Sequence, residues 1–294
     1  MKNEFNTFSP ANNADDLDRY DPITVMFKER MILVEGQVNT QLSHHIISQL
    51  IKLEAMDPDK PIMMIINSPG GSVIDGLAIY DIMRRVTCEI HTIGNGMQAS
   101  MGSILLAGGD QRSMMPNSML LVHQIMGGAA GGTQHSDFEI SGSFMAQQHE
   151  KLKSVYVEFT GLNHKFWDIV GERDSWLTAE QAKKIGFIHE IRHPHKNKRG
   201  PYATEAVRQE MGGLGGVLDK AAKNYISKMT AEQIARAINT GNAEGGVYSR
   251  YRGELIVKLA EFPEYWTEAK KLQVAASKKA KNAANQNANQ ALKP

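Results

Sequence analysis

Short apolar runs and helical apolar patterns alternate along the first two thirds of the chain. The runs at residues 31–35 (MILVE) and 61–66 (PIMMII) have the length of β-strands, and a glycine or proline follows each of them closely. Between the two runs, residues 40–56 predict an amphipathic helix, because their apolar side chains recur at helical spacing. These side chains are Leu42, Ile46, Leu50 and Leu53.

The alternation continues after the second run. Further helices are predicted over residues 73–86 and after Ser100, and further strands through residues 90–93 and 120–122. Since strand and helix follow each other in turn, the pattern predicts parallel βαβ units with helices that cover the sheet. We therefore expect an α/β fold.

Three later segments indicate additional helices. The sequence Thr-Ala-Glu-Gln fits the capping box at both Thr178 and Thr230 and predicts a helix start at each. In residues 138–160, periodicity leaves two interpretations open: a helix packed on its own domain, or a projecting helix that pairs with another subunit. The apolar residues that raise this question lie seven apart, as in a helix-packing seam: Phe138, Met145, Leu152 and Phe159.

Composition narrows the class of protein. The 294 residues are 41% hydrophobic and 22% charged, which is typical of globular proteins, and no stretch approaches the ~18 apolar residues that span a bilayer. The polar, acidic N-terminus lacks the features of a signal peptide, so we expect a cytoplasmic protein. The single cysteine, Cys88, excludes a disulfide framework and a zinc site built on cysteines.

Charge divides the chain into two unequal parts. Residues 1–195 carry 16 Lys and Arg against 23 Asp and Glu, a net charge of −7, whereas residues 196–294 carry 17 against 9, a net charge of +8. The change falls at residues 193–201 (HPHKNKRGP), whose composition is that of a linker. We expect a flexible segment over 1–24, an acidic body over 25–195, and then a basic extension that is helical first and disordered at its end.

Ser100 is the first candidate for chemistry. It lies in Gly-Met-Gln-Ala-Ser-Met-Gly, where small residues permit a tight turn from a strand into a helix. A serine in such a turn has an exposed hydroxyl and a backbone N–H near a positive helix end. A small residue buried against the sheet is the ordinary alternative. The motif is not the nucleophile elbow of the α/β-hydrolases, because Gln98 stands where that motif has glycine.

Three other features are compatible with a serine nucleophile. His123 ends an apolar strand, which suits a general base. Asp174 precedes the capped helix at Thr178, and Gly70 and Gly71 lie between a strand and a helix, where their N–H groups could meet an oxyanion. Each also has an ordinary explanation: a structural histidine, a solvated turn aspartate and a phosphate-type turn, although GxGxxG and GxxxxGK[ST] are absent.

Six stretches of sequence carry a resemblance to a known family. They are FKERMIL from Phe27, INSPGG from Ile66, GMQASMGSILL from Gly96, PNS from Pro116, HQ from His123 and ERDSWLTA from Glu172. In this order and with nearly this spacing, they resemble the ClpP family of serine peptidases, the proteolytic subunits of Clp proteases. The resemblance covers residues 29–190, more than half of the chain.

Position by position, the resemblance implies a role for each candidate. Ser100 falls on the family's nucleophile and His123 on its general base. Asp174 falls on the acid that orients the imidazole. The backbone N–H groups of Gly71 and Met101 fall on the oxyanion hole.

The resemblance also implies where substrate lies. The glycine-rich run that begins at Gly127 falls on the strand along which family members hold substrate peptide, so Gly127 and Gly128, with Gly70, are expected to bind substrate. No metal or cofactor is implied, since ATP is used only by a partner unfoldase. Two departures from the family pattern lie outside the triad: Ile125 replaces a proline, and His189 replaces an aspartate.

Fold and assembly follow from the same resemblance. It implies a crotonase-like β/α superhelix whose handle helix, here residues 138–160, interdigitates between two stacked seven-membered rings. The serines would then face a chamber that unfolded chains enter when an AAA+ unfoldase threads them. Met63, Ile65 and Arg85 fall where many members have aromatic residues that receive the unfoldase, so the charge of Arg85 indicates altered docking.

We therefore expect a serine endopeptidase of ClpP type, which cleaves unfolded polypeptides by acyl-enzyme chemistry. Three alternatives stay open. The first is a crotonase-like acyl-CoA enzyme, and the second is a phage-type head-maturation peptidase on the same fold. The third is an inactive homologue that forms rings.

The extension after residue 195 has no counterpart in the family's core. We expect residues 202–294 to emerge beside Met63, Ile65 and Arg85, held to the acidic body by opposite charge. There they would gate the axial entrance or supply a docking surface, so that their removal would spare the cleavage of short peptides. The ordinary alternative is a basic tail that binds nucleic acid or nothing.

Overall fold

Seven strands form one mixed sheet in the computed structural model, which describes residues 22–127, 134–193, 222–240 and 251–267. The strands in these ranges are β1 (Met31–Glu35), β2 (Ile62–Ser68), β3 (Ile90–Ala99), β4 (Gln111–Met114), β5 (Met119–Val122), β6 (Ser175–Thr178) and β7 (Glu190–Ile191). Their order is β1-β2-β3-β4-β7, and β5 and β6 branch from β3.

Helices cover this sheet and continue into the C-terminal extension. They are α1 (Pro22–Lys28), α2 (Thr40–Met56), α3 (Val73–Arg85), α4 (Met101–Ala107), α5 (His135–Thr160), α6 (His164–Gly171), α7 (Ala179–Lys184), α8 (Ala231–Thr240) and α9 (Arg252–Leu259), with a 3₁₀ turn at Pro263–Tyr265. Residues 222–226 are also helical. Among the described helices, none has both the length and the apolar surface that crossing a bilayer requires.

The sheet branches at β3, which is long enough to pair with two strands along one side. Its first half pairs in parallel with β4, beginning with His91 opposite Gln111, and its last residues pair in parallel with β5, beginning with Met97 opposite Met119. The further pairing of β5 with β6 is antiparallel. This last pair brings the start of β6 to the carboxyl end of β5.

The predicted elements of the body are confirmed, with one exception. The helix predicted over 40–56 is α2, in which Ile46, Leu50 and Leu53 are buried and Asn39 accepts a capping hydrogen bond from the N–H of Leu42. The mixed α/β class is confirmed as well, but the antiparallel β6 is an exception to the expected parallel units. It arises because α5 and α6 return the chain to the carboxyl end of β5, so that β6 runs back along it.

The two halves of α5 have different surroundings. Its second half packs on the body, where Val155 and Tyr156 are buried and Leu152 and Phe159 contact the core. Every residue from 135 to 144 is exposed, including three large apolar side chains that are 48–67% exposed. These are Phe138, Ile140 and Phe144. Packing on its own domain therefore describes the second half, whereas the first half has large apolar side chains that nothing in the described residues covers.

The described part of the C-terminal extension packs on the body and shares its core. It contacts α6, β6 and α7, and its buried side chains come from α8, α9 and the residues around them. The position differs from the one expected beside Met63 and Ile65 of β2, because β3 and β5 separate β6 from β2. The buried side chains include Ile226, Ile234, Ile238, Leu255, Ile256 and Leu259.

Apolar burial, rather than net charge, holds this unit to the body. The described part of the extension has five Lys and Arg against four Asp and Glu, so most of the positive charge of the extension lies elsewhere in the chain. The expected flexible segment over 1–24, up to residue 21, lies outside the described residues. So do the linker from residue 194 and the expected disordered end.

A matched pair of isoleucine substitutions tests whether the extension is part of the core. Ile256→Ala, at a fully buried position of α9, should lower the free energy of unfolding by about 2–4 kcal/mol, because it leaves a cavity. Ile51→Ala, at a position 45% exposed on α2, should change it by less than about 0.5 kcal/mol. Urea unfolding followed by circular dichroism measures both. An extension that folds independently would leave the main transition of the Ile256 variant unchanged.

Candidate active site

Two of the candidate residues follow the carboxyl ends of neighbouring parallel strands. Ala99 lies opposite Leu121 in the ladder between β3 and β5, and the backbone N–H of Ser100 donates a 3.1 Å hydrogen bond to the carbonyl of Leu121. Ser100 then begins the turn into α4, while Val122 leads directly into His123. The two candidate side chains therefore start from adjacent strand ends.

The antiparallel register brings the third candidate to the same place. Val122 of β5 lies opposite Ser175 of β6. Continuing this register by one residue sets His123 opposite Asp174. The fold thus collects the serine, the histidine and the aspartate at one edge of the sheet, on three successive segments.

The backbone of Ser100 adopts a conformation that side chains other than glycine rarely tolerate. Its φ is 54° and its ψ is −122°, and it is one of two non-glycine residues with positive φ in the described ranges. Such a conformation costs about 1–3 kcal/mol and persists only where the surroundings enforce it. Although Ser100 is the N-cap residue of α4, its side chain makes no capping hydrogen bond. Its hydroxyl is therefore not used by the helix.

Gly70 is the neighbour that permits this conformation. A Cβ atom at position 70 would lie 2.5 Å from the Cβ of Ser100 and 2.8 Å from the backbone nitrogen of Met101, which is too close for any side chain. Gly70 itself has a φ of 87°. The turn is fixed on its other side, since the N–H of Val38 donates to the carbonyl of Gly70 at 2.8 Å.

The two backbone N–H groups expected to form an oxyanion hole are close to this contact. Gly71 follows Gly70 in the turn, and Met101 is the first residue of α4. Within the described part of the chain, neither N–H donates to a protein acceptor. Both are therefore available to an oxygen atom bound beside Ser100.

A cavity of about 290 Å³ opens next to Ser100 and His123. Its walls come from the turn at Gly70 and Gly71, from the segment after His123, and from α5 and α6. The inner wall is largely apolar and includes Ile104, Leu152, Tyr156 and Trp167. Its size and lining suit one apolar side chain of a bound peptide.

Asp174 lies outside this cavity. Its side chain is exposed, and in the described residues none of Ser100, His123 and Asp174 makes a side-chain hydrogen bond to another of the three. Catalytic hydrogen bonds are often long in enzymes without substrate and shorten when it binds. The structure thus brings Ser100, His123 and Asp174 to the same end of the sheet, with no hydrogen bond between their side chains.

A different aspartate, Asp168, is already occupied. It forms a 2.5 Å ion pair with Lys153, a buried lysine at the cavity that also pairs with Glu150 at 2.7 Å. Burial alone would lower the pKa of Lys153, but its bonds to Asp168 and Glu150 raise it. Lys153 is therefore held as a cation that binds Asp168.

Two residues that sequence reasoning missed, Ser103 and Tyr156, form hydrogen bonds that fix the backbone of Ser100. The hydroxyl of Ser103 donates to the carbonyl of Ser100 at 2.6 Å and lies 2.8 Å from the hydroxyl of Tyr156. Burial raises the pKa of Tyr156 to about 12, so the phenol stays neutral. Tyr156 lies 53 residues from Ser103 in the chain, and no local pattern indicates that contact.

The remaining candidates are distributed around the site. Gly127 is exposed and lies beside Met145 of α5, and Gly128 lies outside the described residues. Ile125 lines the cavity, whereas His189 accepts a hydrogen bond from the N–H of Arg112 in β4, away from the cavity. No group of three or more His, Cys, Asp or Glu side chains in the described ranges is arranged to hold a metal ion.

Comparisons with known proteins identify the family of this chain. Residues 13–195 match the family model of the Clp protease. The chain is 39% identical over 180 residues to the ATP-dependent Clp protease proteolytic subunit of Leuconostoc citreum, which covers 60% of this chain and 90% of that protein. It is 41% identical over 174 residues to the protein of the same name from Streptococcus mutans, covering 58% and 89%. Since the family model spans more than half of its length, the chain belongs to the Clp protease family.

Proposed function

We propose that this chain is a serine endopeptidase of ClpP type. In this proposal Ser100 is the nucleophile, His123 is the general base, and Asp174 orients the imidazole. The observation that carries the proposal is the strained backbone of Ser100, which is packed against Gly70 and leaves its hydroxyl free beside the cavity and His123. A serine that served only packing would have no need of that conformation.

The reaction proceeds in two halves. The Oγ of Ser100 attacks the scissile carbonyl carbon while His123 takes its proton, and the oxyanion that forms accepts hydrogen bonds from the N–H groups of Gly71 and Met101. The C–N bond then breaks, and His123 gives the proton to the departing amine, which leaves an ester on Ser100. Water, deprotonated by His123, hydrolyses this ester and restores the free serine.

The substrate is an extended polypeptide, held along Gly127 and Gly128 and close to Gly70. The chemistry requires only protein groups and water. The relatives are named proteolytic subunits of an ATP-dependent protease, which supports a partner that uses ATP. We extend this proposal to an AAA+ unfoldase that docks at Met63 and Ile65, with Arg85 altering its usual contact, and to a cytoplasmic location.

The assembly that we propose is a double ring of seven-membered rings. In it, the body is a crotonase-like superhelix and α5 is the handle helix between the rings. The exposed apolar side chains on the first half of α5 support this role, because large apolar side chains left uncovered on a helix are typical of an interaction surface. Neither an acyl-CoA enzyme nor a head-maturation peptidase has a specific observation in its favour.

Replacing the nucleophile tests the reaction directly. Ser100→Ala should lower kcat/KM for a fluorogenic peptide by on the order of 10⁶ and abolish labelling by a fluorophosphonate probe, because the variant lacks the hydroxyl that attacks. Ser48→Ala, at an exposed position on α2, is the control and should keep both. Labelling that survives in the Ser100 variant would show that the nucleophile is elsewhere, and an unlabelled native protein would indicate an inactive homologue.

Two Asp→Asn variants distinguish the orienting acid. Asp174→Asn should lower kcat by about 10⁴, because an amide favours the wrong imidazole tautomer. Asp168→Asn should have a mild effect, because that carboxylate pairs with Lys153 rather than with the triad. Steady-state kinetics on the two purified variants decides between them. The opposite ranking would assign the role to Asp168.

Exposed apolar residues on α5 test the assembly. Phe138→Asp combined with Phe144→Asp should reduce double rings to single rings or smaller species, because burying unpaired carboxylates in an interface costs several kcal/mol. The same change at an exposed position of another helix, Ile51→Asp, should leave the mass unchanged. Size-exclusion chromatography with light scattering measures the species. An unchanged mass in the double variant would exclude this half of α5 from the interface.

A further inference from the structure

A buried arginine of the C-terminal extension lies behind the segment that carries Asp174. Arg252, the first residue of α9, is 7% exposed, which is unusual for a side chain that keeps its charge. Burial lowers the pKa of its guanidinium, and the nearby carboxylate of Asp174 acts in the opposite direction. Burying such a charge is unfavourable unless its N–H groups are hydrogen-bonded. The hydrogen-bond acceptors of the guanidinium therefore identify the segments that Arg252 connects.

Three of those partners are on either side of Asp174. The Nε of Arg252 donates to the hydroxyl of Ser175 at 2.9 Å, and Nη2 donates to the carbonyls of Arg173 at 3.3 Å and Val170 at 3.5 Å. One guanidinium therefore binds the residue before Asp174 and the residue after it. The two ends of the short turn are fixed relative to each other.

The arginine and the turn are also anchored beyond this contact. The Nη1 of Arg252 donates to the carbonyl of Ile238 in α8, which ties the two helices of the extension together. The hydroxyl of Ser175 donates in turn to the carbonyl of Val170 at 2.6 Å. These bonds form one network that joins the extension to the end of α6 and the start of β6.

The extension holds the other end of α6 as well. The N–H of Asn163 donates to the carbonyl of Tyr265 at 2.8 Å, and its side-chain amide donates to the carbonyl of Glu264 at 2.7 Å. The N–H of Thr267 donates to the carbonyl of Gly161 at 2.9 Å. Both ends of the segment between α5 and β6 are therefore bound by residues that follow the body.

Asp174 has little else to fix its position. Its side chain is exposed and makes no hydrogen bond to a described residue, so the backbone on either side sets where the carboxylate points. The match to the Clp protease family model ends at residue 195, before Arg252. The bonds that hold this backbone are thus a feature of this chain's own extension.

We propose that the C-terminal extension positions the catalytic acid, with Arg252 as the positioning residue that holds the turn of Asp174 opposite His123. The proposal rests on the proposed function, because it assumes that Asp174 orients the imidazole. It assigns the extension a part in each subunit's own active site. Loss of the Arg252 bonds leaves the nucleophile and the cavity in place but lets the acid move.

A double-mutant cycle tests this proposal. Arg252→Gln removes the charge and most of the hydrogen bonds, and it should lower kcat for a fluorogenic peptide ~10- to 100-fold with KM unchanged, since a misplacement of about 1 Å has such an effect. In the Asp174→Asn background, the same change should alter kcat by less than about twofold, because there is no longer a carboxylate to position. Arg236→Gln, an identical change at an exposed position of α8, should leave kcat unchanged.

The outcomes distinguish a failure of the role proposed for Arg252 from a failure of the role proposed for Asp174. An equal fall in kcat in both backgrounds would mean that Arg252 acts through general stability, and an unchanged kcat would mean that it does not act on the site; either result overturns the inference. Should Asp174→Asn itself leave kcat unchanged, the proposed acid is wrong and the inference fails with it.

A second variant covers the case in which Arg252→Gln does not fold. Ser175→Ala keeps the guanidinium buried and removes the hydroxyl that receives its Nε and that donates to the carbonyls of Val170 and Arg173. It should lower kcat several-fold in the native background and leave it unchanged in the Asp174→Asn background. Equal effects in the two backgrounds, or no effect in either, would overturn the inference.

Discussion

The contact between Gly70 and Ser100 is the constraint on which the candidate site depends. A serine with positive φ at the end of a strand is unfavourable, and it is retained because the facing backbone carries no side chain. The same approach brings the backbone nitrogen of Met101 beside Gly70, and Gly71 is the next residue of that turn. The proposed nucleophile and the proposed oxyanion donors therefore depend on one close packing of two turns.

The arrangement of the sheet determines where His123 and Asp174 lie, which the contact between Gly70 and Ser100 does not. Because β3 is long enough to pair with β4 and then with β5, the carboxyl ends of β3 and β5 meet beside the turn of Gly70. The antiparallel β6 then brings Asp174 to the same edge from the opposite direction. The positions of the proposed base and the proposed acid are thus set by strand register, which is strongly specified where one face of a sheet is buried.

Local sequence patterns predicted the elements of the body well. The strand at 31–35 and the helix at 40–56 were placed correctly because their apolar periodicity and caps are local properties. The branch at β3 and the support of Ser100 by Tyr156 could not be predicted from such patterns, because they depend on residues far apart in the chain. The triad is proposed on the basis of resemblance, since each of its members has an ordinary explanation when taken alone.

The extension was anticipated least accurately. Its net charge suggested electrostatic docking beside Met63, whereas its described part is held by apolar burial against α6, β6 and α7. Net charge reports on long-range attraction and not on which face is complementary. Removing residues 202–294 would therefore expose part of the core.

Arg252 lies later in the chain than Ser100, His123 and Asp174, and this order matters while the protein is being synthesised. Ser175 and Arg252 are separated by 77 residues, so a ribosome makes all three residues of the proposed triad well before it makes Arg252. If the bonds to Arg252 are required as proposed, a nascent chain lacks a fully positioned acid until residue 252 has been translated. The newly made protein would then become fully active as a peptidase only after the part of the extension that contains Arg252 has been synthesised. That part of the chain would otherwise be exposed to cleavage by an active peptidase while it is being made.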